Sequence, residues 1–309
     1  MRVLLYQHTN RGEQELTSAL SRGIARVGDE WKILSKHGFD PKDLEGWDAV
    51  FTGRLVTSDY VMAACADQGI NFVYFDKGYF YRGWKTEDPG VYYRFSVNSF
   101  QPLVYFQSVP RSADRWKKLD IELKPRKKNG SKIVITGCSQ KFARMHSFTN
   151  ESFTEELVVK LKKLTDRDIV YRPKSADTHA VPIPGTIFSY DRCKIEEELE
   201  DAHAVVTFSS NAAVDAVLAG VPAFVLGPGI AKPVSNTDLS KIEEPWFPTD
   251  KERLQWCYDL AYCQWRVEEM EDGSLWTDLK KILSRPEVQM SKRQTLRSVI
   301  ERSSGPDHS

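Results

Sequence analysis

The stretch Val205–Gly229, VVTFSSNAAVDAVLAGVPAFVLGPG, leaves a chain few choices of fold. It follows on from Ala204, and the apolar run Ala204–Phe208 reads as a strand buried on both faces. The polar turn Ser209-Ser210-Asn211 comes next, and small residues from Ala212 to Ala219 predict a helix. Gly220 ends that helix, Pro222 bars its return, and Ala223–Leu226 reads as a second strand. A strand–helix–strand unit with short connections belongs to a parallel sheet. The turn falls at the carboxyl end of a strand and the amino end of a helix, where free N–H groups and the helix dipole favour an anion. Ser209, Ser210 and Asn211 add side-chain donors, so the turn is expected to cradle a diphosphate. Simple capping of the helix by Ser210 or Asn211 is an equal alternative.

The rest of the chain repeats this rhythm twice. Strands are predicted at 1–6, 31–34, 49–52 and 71–75, with helices at 14–27 and 58–68, which argues for a parallel sheet covered by helices over 1–112. A linker is expected at 113–131, where Lys117, Lys118, Lys124, Arg126, Lys127 and Lys128 crowd around Pro125 and Asn129-Gly130. Such a run reads as a solvated connection or as a contact for a polyanion. The pattern restarts at 132 and is expected to run to 285. A strand at 132–136 precedes the loop Gly137-Cys138-Ser139-Gln140-Lys141. A helix at 154–164 carries Leu157, Val158, Leu161 and Leu164 on one face. A strand at 169–171 then ends in Arg172-Pro173-Lys174. Helices are expected at 252–270, 275–283 and 291–301, and 286–309 is a last helix with a disordered tail. The fold class is α/β: two Rossmann-like domains facing a central cleft, with C-terminal helices, and ligands at the strand carboxyl ends.

Composition removes several functions. Lys+Arg and Asp+Glu are equal at 43, so affinity for nucleic acid or membrane has to come from a local patch. No apolar run is long enough to span a membrane, and no signal peptide is read at the Met-Arg start. Cys65, Cys138, Cys193, Cys257 and Cys263 form no CxxC pair, which suggests reduced thiols and a cytoplasmic protein. The six histidines are dispersed, and no Gly-x-x-x-x-Gly-Lys-Ser/Thr loop exists. Asp166-Arg167-Asp168 spells Asp-x-Asp, yet it sits between a predicted helix and strand and reads as a polar helix end rather than a metal site.

Tyr171-Arg172-Pro173, Thr207–Ser210, Asp215, Gly220-Val221-Pro222, Gln264-Trp265 and Glu269-Met270-x-x-Gly273-x-x-Trp276 together form a pattern over about 130–285. This pattern resembles glycosyltransferases of the two-Rossmann GT-B fold, in particular those of the bacterial capsular-polysaccharide type. The chain departs from it in two places: Lys174-Ser175 stands where that family has His-Pro, and Asp215 where it has Glu. In the first half, Asp76-Lys77-Gly78-Tyr79 and Tyr92–Asn98 resemble phage-type proteins. That second likeness implies transfer of a sugar to hydroxymethylated bases, such as hydroxymethylcytosine, in phage DNA inside a host cytoplasm.

The resemblance implies a nucleotide-sugar donor, a UDP-sugar first among candidates, and no obligatory metal. Ser209, Ser210, Asn211, Arg172 and Lys174 are expected to meet the diphosphate, with Gly137, Ser139, Gln140 and Lys141 forming a second loop at a strand end. The resemblance gives Asp215 the donor ribose, while its place in the first turn also suits the helix dipole. Asp76 is the expected base, with Glu13 and His8 as competitors. Lys77, Arg82, Arg94 and Asn98 are expected to bind the acceptor, double-stranded DNA, among interleaved aromatics that equally suit core packing. A capsular or other glycan acceptor, a nucleotide-sugar epimerase and a non-catalytic nucleotide-binding module are the alternatives. Oligomeric state is not legible in the sequence.

Overall fold

Runs of apolar residues without alternation become the central strands of two sheets in a computed structural model of the chain. The structure describes residues 1–7, 11–53, 58–82, 90–174, 177, 179–190 and 193–288. His8 and Ser175, the expected helix at 291–301 and the tail lie outside the described residues.

Met1–Pro110 and the described chain from Asp259 to Val288 form one compact unit, and Arg111–Tyr258 form the other. The first begins with β1 (Arg2–Gln7), α1 (Arg11–Arg26), β2 (Glu30–Ser35), β3 (Ala49–Gly53), α2 (Asp59–Asp67), β4 (Asn71–Lys77) and β5 (Tyr93–Val97). Leu16, Ala19, Leu20 and Ile24 make the buried stripe of α1, as the spacing requires.

The second unit contains α3 (Asp114–Leu119), β6 (Lys132–Thr136), α4 (Gln140–Met145), α5 (Asn150–Leu161) and β7 (Asp168–Arg172). It continues through β8 (Ile187–Phe188), α6 (Ile195–Glu198), β9 (Ala202–Thr207), α7 (Ala212–Leu218) and β10 (Ala223–Val225). The division between units falls within α8 (Asp250–Ala261). Its five strands lie in the order β10-β9-β6-β7-β8, all parallel. Counted from β6, that is the doubly wound order 5-4-1-2-3, with its reversal between β6 and β9. Ile133, Ile135, Tyr171, Val206 and Phe224 pack against Leu157, Val158 and Leu161 of α5 in its core. Leu164, expected on that face, lies past the end of the helix and is exposed.

After α8 come β11 (Gln264–Trp265), α9 (Val267–Glu271) and α10 (Ser274–Leu283), which rejoin the first unit. Its sheet has the order β11-β5-β4-β3-β1-β2. The strands β1 to β4 are parallel, but β5 and β11 are antiparallel additions at one edge. Two expectations are therefore corrected. The first sheet is mixed rather than parallel, because Tyr93, Phe95 and Val97 form a buried strand where the sequence suggested an aromatic binding segment. The second unit ends near 258 instead of 285, because Trp265, Met270, Trp276, Leu279 and Ile282 complete the core of the first. Close backbone approach makes this possible: a Cβ on Gly23 of α1 would lie 1.8 Å from Met270 O.

The expected linker is also corrected. Lys124 N–H donates to Leu218 O (2.9 Å) and Lys127 N–H to Gly220 O (2.8 Å). The buried Arg253 donates from Nη2 to Lys124 O (2.6 Å) and Val217 O (2.8 Å). The segment is thus part of the second unit.

Candidate functional site

The carboxyl edge of the second sheet collects the polar turns that the sequence singled out. Because β6 lies between β7 and β9, the turn at Gly137–Gln140 has Arg172–Lys174 on one side and Ser209–Asn211 on the other. Gly137 N–H donates to Arg172 O (3.0 Å), and Thr207 Oγ1 donates to Thr136 O (2.9 Å), so the three strand ends are tied together. The loop after β10 closes the far side: Gly227 N–H donates to Phe208 O (2.8 Å), and Ser209 Oγ donates to Pro228 O (3.3 Å). The reversal of strand order at β6 and β9 is where open α/β sheets leave a crevice for ligands.

Aromatic packing sets the shape of this edge. The Phe208 ring meets those of Phe142, His146, Phe148 and Phe153 at centroid distances of 6.2, 5.0, 4.7 and 5.7 Å. These contacts fasten α4 and the chain entering α5 beside the Ser209 turn.

Individual residues divide by role. Ser139 Oγ accepts from Phe142 N–H (3.3 Å) and caps α4, a contact the sequence analysis did not raise. Ser210 Oγ accepts from Ala212 N–H (3.3 Å) at the start of α7, close to the capping alternative given for it. The Asn211 side chain makes no capping bond, and all three of Ser209, Ser210 and Asn211 are half-buried. Gln140 Nε2 donates to Asp177 Oδ2 (2.7 Å), and Asp177 is a buried carboxylate that sequence reasoning missed. It sits in irregular chain with no periodic signal to mark it. Lys141 is half-buried in the first turn of α4, Lys174 is exposed just after β7, and Asp215 is half-buried in the first turn of α7.

Arg172 Nη2 donates to Cys193 O (2.8 Å), and Nη1 lies 3.7 Å from Glu198 Oε2. The guanidinium thus packs against α6 and Cys193 just before it. Glu198 also accepts from Lys132 Nζ (2.7 Å) and from Ser189 Oγ. Burial pushes the Glu198 carboxyl up, but the Lys132, Ser189 and Cys193 contacts outweigh it and leave the group below its ordinary value. Asp168 opens β7, at the amino edge of the sheet, so the Asp-x-Asp tripeptide lies at the opposite end from these turns.

In the first unit, Asp76 stands near the carboxyl end of β4 with its side chain 25% exposed. Tyr74 OH donates to Asp76 Oδ2 (2.7 Å), Lys77 N–H donates to Oδ1 (2.8 Å), and Arg94 Nη2 lies 3.6 Å from Oδ2. Lys77 ends β4, and Arg82 is exposed and bridged to Tyr92. Two expected acceptor residues are corrected by their burial. Arg94 donates to Phe100 O (3.2 Å) and lies over the Phe100, Tyr74 and Tyr79 rings at 4.6, 5.5 and 5.7 Å. Asn98 is 1% exposed: its Oδ1 accepts from Phe72 N–H (2.9 Å), its Nδ2 donates to Asn71 Oδ1 (3.0 Å), and its φ of 53° shapes a turn. Both hold the sheet together. Glu13 is buried as well and pairs with Lys36, whose Nζ also donates to Gly53 O (2.5 Å). That pair ties the start of α1 to the ends of β2 and β3.

No family model matches the chain, and no curated protein matches it in sequence. Among solved structures, it is similar to KpsC of Thermosulfurimonas dismutans, a beta Kdo 2,4 transferase, with 11% identity and a TM-score of 0.52 over 84% of this chain and 90% of that one. The beta Kdo 2,7 transferase of the same KpsC aligns at 13% identity over 89% and 99% of the two chains, with a TM-score of 0.46. The UDP-GlcNAc 2-epimerase of Methanocaldococcus jannaschii aligns at 10% identity over 92% and 99%, with a TM-score of 0.32. Of these three, the first is close enough to speak to architecture. It shows that the chain has the α/β fold with two Rossmann-like domains, GT-B, that the sequence led one to expect.

Proposed function

We propose that the chain is a nucleotide-sugar-dependent glycosyltransferase whose donor diphosphate sits at the carboxyl edge of the second sheet. The observation that carries this reading is the strand order β10-β9-β6-β7-β8, which puts its reversal between Gly137–Gln140 and Ser209–Asn211. Backbone N–H groups of both turns, the Ser209 and Ser210 hydroxyls and the Lys141 and Lys174 ammonium groups would offset the diphosphate charge. Asp215 would take the ribose, and Asp76 of the first unit would remove the acceptor proton. The likeness in fold to a sugar transferase supports the reaction class.

The acceptor we favour is a hydroxyl of a glycan. The sequence analysis put a hydroxymethylated DNA base first and a glycan second, with the Lys124–Lys128 run as a phosphate contact. That run joins the sheet at its amino edge, opposite the turns assigned to the donor, which leaves the DNA reading with less support. We further propose that transfer needs no divalent metal. The test is incubation with a panel of nucleotide sugars, with and without EDTA, in the presence of oligosaccharides or hydroxymethylcytosine-containing duplex, followed by mass spectrometry of both acceptors. A hexose-sized or larger mass gain on the oligosaccharide that survives EDTA is the expected result. Gain on the nucleoside alone would return the acceptor to DNA, and absence of transfer with any donor would overturn the enzyme reading.

A further inference from the structure

The segment leading into β6 carries three consecutive cations on a fixed backbone. Lys127 N–H is bonded to Gly220 O (2.8 Å) and Ser131 N–H to Asp201 O (3.0 Å). Gly130 passes so near the start of β9 that a Cβ would lie 2.2 Å from Ala202 C and His203 N. Arg126, Lys127 and Lys128, together with His203 and Glu243, line a cavity of about 210 Å³ at the amino edge of the sheet.

The charge in that cavity is balanced only in part: the Asp201 carboxyl, held below its ordinary value first by its bonds from Ser131, also feels the charge of Lys127. Arg126 Nη2 donates to Pro245 O (3.1 Å), and the guanidinium lies 5.5 Å from the Phe247 ring. Lys127 Nζ donates to Leu199 O (2.9 Å) and Glu200 O (3.1 Å). These partners are neutral. Among the described residues, no carboxylate makes an ion pair with Arg126, Lys127 or Lys128. Glu243 is the acidic side chain in the lining, and it is taken up by Arg167, with Nη2 3.0 Å from Oε2, and by Thr165 Oγ1. Cations held side by side with their backbone already ordered form a site that a multiply charged anion relieves.

We propose that this cavity binds a phosphate or diphosphate group of a small phosphorylated ligand. The site is distinct from the donor turns, lies at the opposite edge of the same sheet and does not rest on the transferase reading. Arg126 and Lys128 are exposed and Lys127 is half-buried, and the volume suits a compact anion rather than a polymer laid across them.

The test is titration of the full chain with inorganic pyrophosphate at low ionic strength, read by calorimetry and by backbone amide shifts. Pyrophosphate also suits the donor turns, so the two sites are separated by position. Amides at 127, 128 and 203 report this cavity, and those at 137–140 and 209–211 report the donor edge. Lys128→Gln removes an exposed cation that makes no hydrogen bond among the described residues, and Lys128→Glu reverses it. Affinity at the cavity should fall several-fold with the first and by about tenfold or more with the second. Ser210→Ala/Asn211→Ala should leave it unchanged. Wild-type amides at 127, 128 and 203 that stay still at saturating pyrophosphate would overturn the proposal. So would wild-type affinity in Lys128→Glu, or binding to phosphatidylglycerol vesicles or duplex DNA with no pyrophosphate response.

Discussion

Replacing Asp29 by Asn should destabilise the first unit by about 2 kcal/mol at pH 7, and this gain should shrink in acid. Asp29 lies in the tight turn between α1 and β2, with its side chain 7% exposed. Its Oδ2 accepts from Trp276 Nε1 (2.7 Å) and Lys280 Nζ (2.7 Å) of α10, and its Oδ1 accepts from the Met1 ammonium (2.5 Å). Burial pushes the Asp29 carboxyl up, but these contacts outweigh it and bring it down to about 2, from 3.8. A depressed folded-state value stabilises the fold above the unfolded value, and the contribution is lost as pH falls toward the folded one. Nearly two units correspond to about 2.4 kcal/mol at neutral pH, falling to about half of that by pH 3. Urea unfolding of the parent and of Asp29→Asn, at several pH values between 7 and 3, gives the difference directly. A difference below about 0.5 kcal/mol at pH 7, or one unaffected by acid, would mean that Asp29 does not clamp α10. The same experiment probes the assignment of α10 to the first unit, since the clamp exists only if α10 docks there.

Arg172→Met should cost about 1–3 kcal/mol of stability in the second unit, since it removes a charged donor from Cys193 O and a neighbour of Glu198, while nucleotide affinity stays within about twofold. A large affinity loss with stability intact would return Arg172 to the donor site. Burial raises the Cys138 thiol to about 11 and the Cys257 thiol to about 12. At pH 8 iodoacetamide should therefore label the half-buried Cys193 well before either of them, as read by peptide mass, and all five cysteines together in urea. Asp76→Asn should abolish sugar transfer yet leave nucleotide affinity near normal, because a base acts in the transition state. Retained turnover would move that role to another group.

Local chemistry made much of the second unit legible. The apolar run at 204–208, the polar turn, the small-residue helix and the Gly-x-Pro stop became β9, α7 and β10 almost as read, because each signal acts within a few residues. The neighbouring turns at 137–141 and 207–211 came together because parallel βαβ connections put successive strand ends on one edge. What the sequence hid depends on distant partners. Arg94 reads as an acceptor cation until β5 is paired with β4 on one side and with β11, more than 160 residues away, on the other. Asn98 reads as a polar handle until its φ of 53° and its bonds to Phe72 and Asn71 are seen. Arg172 sits at the strand end its motif implied, but the direction of a long side chain is decided by Glu198 and Cys193, which no local pattern announces. The side chains of Lys124, Arg126 and Lys128 are exposed, as a solvated run would be, but the backbone of the segment is fixed by carbonyls at 218 and 220 that no local pattern announces.

A nucleoside diphosphate should bind across the β6 and β9 turns. Calorimetric titration of UDP into the parent chain and into Ser210→Ala/Asn211→Ala tests it most directly, with amide shifts recorded in parallel. Each lost donor is worth roughly 1 kcal/mol, and more where it meets charge, so affinity should drop at least tenfold in the double variant. The lost contact from Ala212 N–H to Ser210 Oγ should cost about 1 kcal/mol of stability and leave the variant folded. The shifted amides should cluster at 137–141 and 207–215. Equal UDP affinity in the two proteins, or shifts confined to residues away from those turns, would contradict the account.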